Sequence, residues 1–200
     1  MQRAISHLKR QDPVLCAIID RVGDYRIEFR DPDFETLVKS IVYQQLSGRV
    51  ASVIFGRLVK AVGGKLTPAG ILKLRPPRMR TLGLSGQKTA YIRDLARHTR
   101  DGHLVFEQLA EMPDEAVIER LTQVKGIGAW TVHMFLIFAL RRTDVLPTGD
   151  LGIRNAIRKA YGLDELPSPL EVEAMAERWR PYCTVASWYL WRSLEPNANL

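Results

Sequence analysis

Leu121-Thr122-Gln123-Val124-Lys125-Gly126-Ile127-Gly128-Ala129-Trp130-Thr131 places two glycines at alternate positions between two segments of helical character. Glycine accepts a positive φ and carries no side chain that would hold a partner away from the backbone. The helix that follows the second glycine points its free N–H groups out of the turn, which favours binding of an anion the size of a phosphate. The stretch therefore predicts either a tight turn between helices or a phosphate-binding hairpin.

The rest of the chain contains many start signals for helices. An N-cap residue precedes a proline at Asp12-Pro13, at Thr67-Pro68 and in the capping box Ser168-Pro169-Leu170-Glu171. Residues 25–30 alternate like a strand, but a single strand has nothing to pair with, so we interpret them as an extended connector. We predict an all-α fold whose other helices cover residues 34–45, 47–62, 87–99, 114–123, 129–142, 151–161 and 182–194.

Composition excludes several classes of protein. With 46% hydrophobic residues the chain can form a packed core. The longest apolar run, residues 134–140, is far shorter than the ~20 residues that cross a bilayer, and the first residues carry no apolar signal core. We therefore expect a cytoplasmic protein with no membrane partner. Two cysteines and four scattered histidines provide neither a disulfide framework nor the spacing of a metal cluster.

The charge balance indicates a polyanionic partner. The net charge is +7 and the isoelectric point is about 9.6. Such a balance suits nucleic acid or an anionic membrane surface. Because the positive residues are spread along the chain, folding has to assemble any basic face.

The hairpin is the first part of a family resemblance. An apolar residue between its glycines, a lysine beside them and helices on both sides match the helix-hairpin-helix DNA-binding motif. Downstream, Leu146-Pro147-Thr148-Gly149-Asp150-Leu151-Gly152-Ile153 follows at the family spacing, and residues 43–47 and 179–191 agree as well. From about Asp33 onward the chain resembles the helix-hairpin-helix (HhH-GPD) DNA glycosylase superfamily, in its 3-methyladenine DNA glycosylase II branch. It departs at the front, because some members carry an additional N-terminal α/β domain and this chain begins with helices.

The resemblance implies an architecture and a partner. We expect a helix-hairpin-helix lobe of residues 34–140, a second lobe that joins residues 1–33 to 141–200, and a cleft between the two lobes. The partner is double-stranded DNA containing damaged bases, bound by a monomer. No organic cofactor is implied. A Na⁺ or K⁺ ion is expected to bridge a phosphate to the backbone carbonyls of Thr122, Val124 and Gly126.

Asp150 is the candidate catalytic residue. An aspartate before a helix is ordinarily an N-cap. The resemblance implies that its carboxylate also stabilises a cationic, oxocarbenium-like sugar while the base departs. An alkylated purine leaves as a neutral base, so the paired acid and base of sugar hydrolases are not required. The two roles are compatible, because the N-terminus of a helix stabilises a negative charge.

Aromatic side chains are expected to hold the base. Stacking and cation–π attraction both favour an electron-poor base on an aromatic ring, and the resemblance implies Trp130 and Trp191 for this role. The alternative for both is packing in the core, where we place Trp179 and Trp188. Met134 stands where some relatives have a tyrosine, so we expect it in the pocket, with a softer floor and a different base preference as the expected result.

The resemblance also implies a set of DNA contacts. The turn Gln44-Gln45-Leu46-Ser47 is expected to enter the minor groove, with Leu46 filling the gap left by a flipped base and Gln45 beside it. A buried contact between helices is the alternative for Leu46. Lys88, in a second and degenerate hairpin over residues 82–89, either touches a phosphate or is solvated. His133 is interpreted as a core histidine rather than a catalytic base. Phosphate contacts are expected at Lys125, Gly126, Gly128 and Thr131.

The predicted activity is monofunctional removal of alkylated bases such as 3-methyladenine and 7-methylguanine. Bifunctional members carry a lysine nucleophile two residues beyond the second hairpin glycine, and here that position is Trp130. An indole cannot form the imine of a lyase, so no strand cleavage is expected. Two alternatives remain: a glycosylase of the same fold for another lesion or mismatch, and a non-catalytic helix-hairpin-helix module that only binds DNA.

Overall fold

A computed structural model of the chain describes residues 1–195, so the end of the predicted second lobe, residues 196–200, lies outside the described residues. The fold is all-α, as predicted, and within that range residues 25–30 form no strand. In chain order the helices are α1 (Gln2–Gln11), α2 (Pro13–Val22), α3 (Phe34–Tyr43), α4 (Gly48–Ala61), α5 (Pro68–Lys73), α6 (Pro76–Thr81), α7 (Gly86–Arg100), α8 (Phe106–Leu109), α9 (Asp114–Thr122), α10 (Ala129–Phe138), α11 (Leu151–Tyr161), α12 (Pro169–Ala176) and α13 (Cys183–Ser193).

The start signals read from the sequence are real caps. The side chain of Asp12 accepts hydrogen bonds from the first turn of α2, that of Thr67 from Gly70 in α5, and Ser168 forms a full capping box at α12. Helix α10 stops at Phe138, four residues before its predicted end, and α3 stops at Tyr43, two residues before its predicted end. Helix α12 gives way to a 3₁₀ turn, Glu177–Trp179. Three helices were not predicted, because α1 has no side-chain cap and α6 and α8 are too short for a periodic pattern.

The chain divides into two compact units. Unit 1 consists of Met1–Phe29 and Leu136–Leu200, and unit 2 consists of Arg30–Phe135. The lobes expected from the sequence placed these boundaries a few residues later along the chain. Between residues 1 and 195, no helix combines the length and the apolar character that crossing a membrane requires.

In unit 2, helix α7 lies at the centre of the packing. It packs against α3, α5 and α6, and α3 also packs against α4. Apolar side chains at helical spacing make this possible, because they bury one face of each helix. The buried residues of α3 and α7 are Phe34, Leu37, Val38, Ile41 and Val42 on α3, and Thr89, Ile92, Leu95 and Ala96 on α7. The central helix therefore fixes the position of the end of α3, where the predicted DNA-inserting turn begins.

The core of unit 1 is built mainly by α2, α11 and α13. Trp179 and Trp188 are buried in it, at 0% and 5% exposure, as predicted. At its centre the Asp12 carboxylate, fully buried, accepts hydrogen bonds from Trp179 Nε1 at 2.8 Å and from the Tyr161 hydroxyl at 2.5 Å. Burial opposes the charged form, but these donors and the backbone N–H groups of α2 hold the pKa of Asp12 below its usual value. One carboxylate thus fastens α2 to α11 and to the 3₁₀ turn.

Candidate active site

The hairpin of unit 2 is anchored by its two apolar residues. Val124 and Ile127 are 1% and 3% exposed. The Val124 N–H donates to the Leu121 carbonyl, and the Ile127 N–H donates to the Val124 carbonyl, both at 3.1 Å. Gly126 takes a φ of +82°, which closes the turn between α9 and α10. Gly128 and Ala129 are exposed, so a partner can reach the backbone of the hairpin where α10 begins.

The two hairpin glycines are required for different reasons. A Cβ on Gly126 would lie 2.0 Å from Cδ2 of the Tyr91 ring, which packs directly on the glycine. A Cβ on Gly128 would meet nothing within 4 Å. Gly126 is therefore needed for packing inside the unit, whereas at Gly128 the missing side chain leaves space for an external group.

The hairpin carbonyls keep acceptor capacity for the monovalent cation that the resemblance implies. The Val124 carbonyl accepts one hydrogen bond from Ile127, and the Gly126 carbonyl accepts one from Gln44 Nε2 at 2.9 Å. A carbonyl oxygen has two lone pairs, so each can still face a monovalent ion. The side chain of Thr122 turns back to the Ile118 carbonyl of its own helix, which leaves only backbone oxygen to this site. Among residues 1–195 no cluster of three His, Cys, Asp or Glu side chains is placed to hold a metal ion.

The turn after α3 presents Leu46 to solvent. Gln45 has a φ of +55°, a left-handed conformation that costs a non-glycine residue about 1 kcal/mol. Leu46 is 37% exposed, so the alternative of a buried contact between helices is wrong. Ser47 is the N-cap residue of α4, but its side chain makes no capping bond. The strained turn carries an apolar side chain outward, as a groove-inserting residue requires.

Lys88, expected on a phosphate or in solvent, and Thr131, expected on a phosphate, both have other surroundings. The Lys88 ammonium donates to the carbonyls of Val42 at 2.7 Å and Gln44 at 2.6 Å, and burial lowers the pKa of Lys88. Its ammonium therefore binds the carbonyl end of α3, a partner that the sequence did not predict. Thr131 is only 6% exposed, because it faces inward in the first turn of α10. Lys125 is exposed, and its backbone N–H donates to Asp94 Oδ2 at 3.0 Å.

Helix α10 carries one exposed and one half-buried member of the expected base pocket. Trp130 is 52% exposed, so it does not belong to the core. Met134 is half-buried one turn further on the same face. His133 beside it is also half-buried, and burial lowers its pKa against a smaller opposing effect of Asp114.

In unit 1, Asp150 is both a helix cap and the acceptor of an indole N–H. It is 9% exposed and precedes α11. Its Oδ1 accepts from the Ile153 N–H at 2.8 Å and from Trp191 Nε1 at 3.0 Å. The Trp191 ring in turn stacks on Phe138, with ring centroids 6.1 Å apart and planes 24° apart. Trp191, expected as a wall for the base, thus also orients the candidate catalytic carboxylate.

Sequence reasoning missed four residues of these sites. A Cβ on Gly152 would lie 2.9 Å from Asp150 Oδ1 and 3.2 Å from the Trp191 ring, so this glycine leaves room for their hydrogen bond. Its position two residues after Asp150 was the available signal. The other three contact the hairpin from distant points in the chain. Gln44 belongs to the predicted turn but was given no role of its own, and nothing local in the sequence marks Tyr91 or Asp94.

The all-α fold, the glycine hairpin and the capped aspartate define a class of helical DNA repair proteins. The model of the HhH-GPD superfamily base excision DNA repair proteins matches residues 38–181. The chain is 36% identical to the DNA-3-methyladenine glycosylase 1 of Schizosaccharomyces pombe, over 96% of this chain and 87% of that protein. It therefore belongs to the HhH-GPD superfamily.

Solved structures agree with this assignment. One is the 3-methyladenine DNA glycosylase Mag1 of Schizosaccharomyces pombe in complex with abasic DNA, with a TM-score of 0.84, 36% identity and 96% of each chain covered. Another is the DNA-3-methyladenine glycosidase of Bacillus halodurans, with a TM-score of 0.87 and 37% identity, covering 98% of this chain and 89% of that one.

Proposed function

We propose that this protein is a monofunctional DNA glycosylase. It hydrolyses the N-glycosidic bond of alkylated bases of the 3-methyladenine and 7-methylguanine type in double-stranded DNA, acting as a monomer in the compartment that contains the DNA. Membership of a base excision repair family and relatives that are 3-methyladenine glycosylases support the reaction and the substrate class.

The observation that carries the proposal is the placement of Asp150. Its carboxylate is nearly buried, sits at the N-terminus of α11 and is oriented by the N–H groups of Ile153 and Trp191. A negative charge held in this way needs no reorganisation when a positive charge develops nearby, which is the condition for electrostatic stabilisation of a transition state. Gly152 supports the arrangement by leaving the space that it needs.

The reaction requires little else from the protein. The bond between C1′ of the sugar and the base nitrogen breaks with its electron pair going to the cationic base, which leaves neutral. Asp150 stabilises the oxocarbenium-like sugar that remains. Water then adds its oxygen to C1′ and releases a proton to solvent. The product is an intact strand with an abasic site, because Trp130 offers no amine to attack the sugar.

Recognition of the base is assigned to aromatic and sulfur-containing side chains. Trp130, half exposed at the start of α10, can stack on an electron-poor base, and Met134 lies one turn behind it. A thioether is softer and more adaptable than a tyrosine ring. We therefore expect several alkylated purines to be accepted rather than a single one.

DNA binding is assigned to two stretches of unit 2. The exposed backbone from Gly128 holds a phosphate. The carbonyls of Thr122, Val124 and Gly126 would hold a Na⁺ or K⁺ ion, which would supply positive charge there. Leu46, carried outward by its strained turn, fills the gap that the flipped nucleotide leaves. Gln45, exposed beside it, contacts the opposite strand.

The test is to identify the released base. The protein is incubated with duplexes that carry 3-methyladenine, 7-methylguanine, another damaged base or a mismatch, with an undamaged duplex of the same sequence as control, and freed bases are identified by mass spectrometry. Release of the methylated purines supports the proposal. Release of only a different base supports a glycosylase for another lesion. DNA binding without release at any duplex refutes the enzyme in favour of a non-catalytic module. Light scattering of the free and bound protein tests the monomer.

A further inference from the structure

One face of α7 contacts both DNA-binding stretches of unit 2. Lys88, Tyr91 and Asp94 are spaced three residues apart, so they lie on one side of the helix. Tyr91 packs its ring on Gly126, and Asp94 accepts the N–H of Lys125. These two residues hold the hairpin, and the third holds a different part of the chain.

Lys88 holds the end of α3. Its ammonium lies on the carbonyls of Val42 at 2.7 Å and Gln44 at 2.6 Å, and the second of these opens the Leu46 turn. The last carbonyls of a helix carry partial negative charge and lack partners within the helix, so a cation there satisfies and stabilises them. The next residue, Gln45, has a φ of +55°. A strained conformation of this kind persists only where surrounding contacts enforce it.

Gln44 connects the turn to the hairpin directly. Its side-chain Nε2 donates to the Gly126 carbonyl at 2.9 Å, while its own backbone carbonyl accepts from Lys88. Two routes of contacts therefore connect the turn to the hairpin. One runs through Lys88, α7 and the Tyr91 ring, and the other runs directly through the Gln44 side chain. Together they give Leu46 a defined position relative to the hairpin backbone.

We propose that Lys88 and Gln44 are positioning residues that hold the Leu46 turn in register with the phosphate-binding hairpin. The phosphate-binding backbone and Leu46 are then already in their correct relative positions when DNA binds. The expected effect on base excision rests on the proposed function, whereas the contacts that position the turn do not. Holding the turn in advance avoids the entropy cost of ordering it on the DNA, where flipping already consumes several kcal/mol of stacking energy.

A direct phosphate contact by Lys88 is the rival role, and it predicts different measurements. Removing a phosphate-binding lysine weakens binding to every duplex and lowers the salt dependence of the binding constant by about one unit of slope. Removing a positioning lysine leaves the salt slope unchanged and slows excision. It acts through Leu46, so its effect depends on that side chain being present.

The experiment compares Lys88→Met with Lys60→Met, which removes the same charge from an exposed position on α4. Single-turnover excision from a methylated duplex is expected to slow about tenfold in Lys88→Met and to stay near the wild-type rate in Lys60→Met, with equal salt slopes in both. In a Leu46→Ala background the added effect of Lys88→Met should disappear. A slope reduced by about one, or a full tenfold loss that persists without Leu46, overturns the proposal.

A second variant and a second readout keep the test decisive. Circular dichroism monitors folding. If Lys88→Met does not fold, Gln44→Met takes its place, because it removes only the amide donor. Gln44→Met must then slow excision, and the loss must depend on Leu46; a wild-type rate of excision in Gln44→Met overturns the proposal.

A 2-aminopurine placed beside an abasic analogue reports insertion of Leu46 without any chemistry. If wild type releases no base but gives this fluorescence change and the variants lose it, the glycosylase function fails and the positioning role stands. Equal fluorescence in wild type and variants refutes the positioning role.

Discussion

Asp150→Asn isolates the charge of the candidate catalytic residue with little other change. The hydrogen bonds from Ile153 and Trp191 both converge on Oδ1, at 2.8 and 3.0 Å. The amide oxygen of asparagine can occupy that position and accept both. Asparagine is also as good an N-cap as aspartate, and the loss of charge at the helix N-terminus costs about 0.3–1 kcal/mol of stability.

The expected effect on catalysis is much larger than the effect on stability. Two opposite unit charges about 4 Å apart interact by about 4 kcal/mol at an effective dielectric constant of about 20. This dielectric suits a carboxylate that is 9% exposed. At about 1.4 kcal/mol for each factor of ten, losing the charge should slow the chemical step by about 10²- to 10³-fold.

The assay is single-turnover release of a methylated purine, with duplex affinity and the melting temperature measured on the same samples. Asp33→Asn is the matched control, because Asp33 caps α3 through the N–H of Thr36 and loses the same charge at a helix N-terminus. We expect the control to excise at the wild-type rate and both variants to bind DNA normally. Excision by folded Asp150→Asn within about threefold of wild type would remove Asp150 from the mechanism.

Three further predictions concern the hairpin, the leucine turn and the absence of a lyase. Gly128→Ala should keep the fold and weaken binding to damaged and undamaged duplexes alike, because phosphate contacts carry no sequence information. Gly126→Ala should instead lower the free energy of unfolding by about 1–3 kcal/mol in calorimetry, because the added methyl group overpacks the turn. Unchanged affinity in the first or unchanged stability in the second contradicts the roles given to these glycines. Leu46→Ala should barely shift the melting temperature and should slow excision least where the opposite position is unpaired; a large drop in melting temperature would instead count against an exposed, inserting side chain. With Trp130 in the lysine position, borohydride should trap no covalent adduct and strands should stay intact until alkali or heat is applied, and an adduct formed in step with base release refutes the water-attack mechanism.

The sequence predicts most of the helices because their signals are local. Asp12, Thr67 and Ser168 lie within three residues of the N–H groups that they cap, so the chemistry and the geometry sit in one short segment. Helix α1 escaped prediction for the same reason, since no side chain caps its start. The hairpin could be predicted for the same reason, because its glycines and apolar residues lie in one short segment.

The partners of side chains could not be read in this way. The carbonyls that receive Lys88 lie 46 and 44 residues before it, and Trp191 lies 41 residues after Asp150. Whether Gln44 or Gln45 turns inward depends on the left-handed backbone of Gln45, which no residue type announces there. A lysine close to a predicted DNA-binding turn looks the same in sequence whether it binds a phosphate or a carbonyl.

The division of the chain into units has a consequence for its synthesis. Unit 2 is a single continuous stretch, so it can fold while later residues are still being translated. Unit 1 is assembled from both sides of that stretch, and the bond from Trp179 to Asp12 spans 167 residues. The faces of its N-terminal helices that pack on α13 and the 3₁₀ turn therefore stay uncovered until those elements have been translated. Chaperone binding to nascent chains should be concentrated on α1 and α2 during this interval.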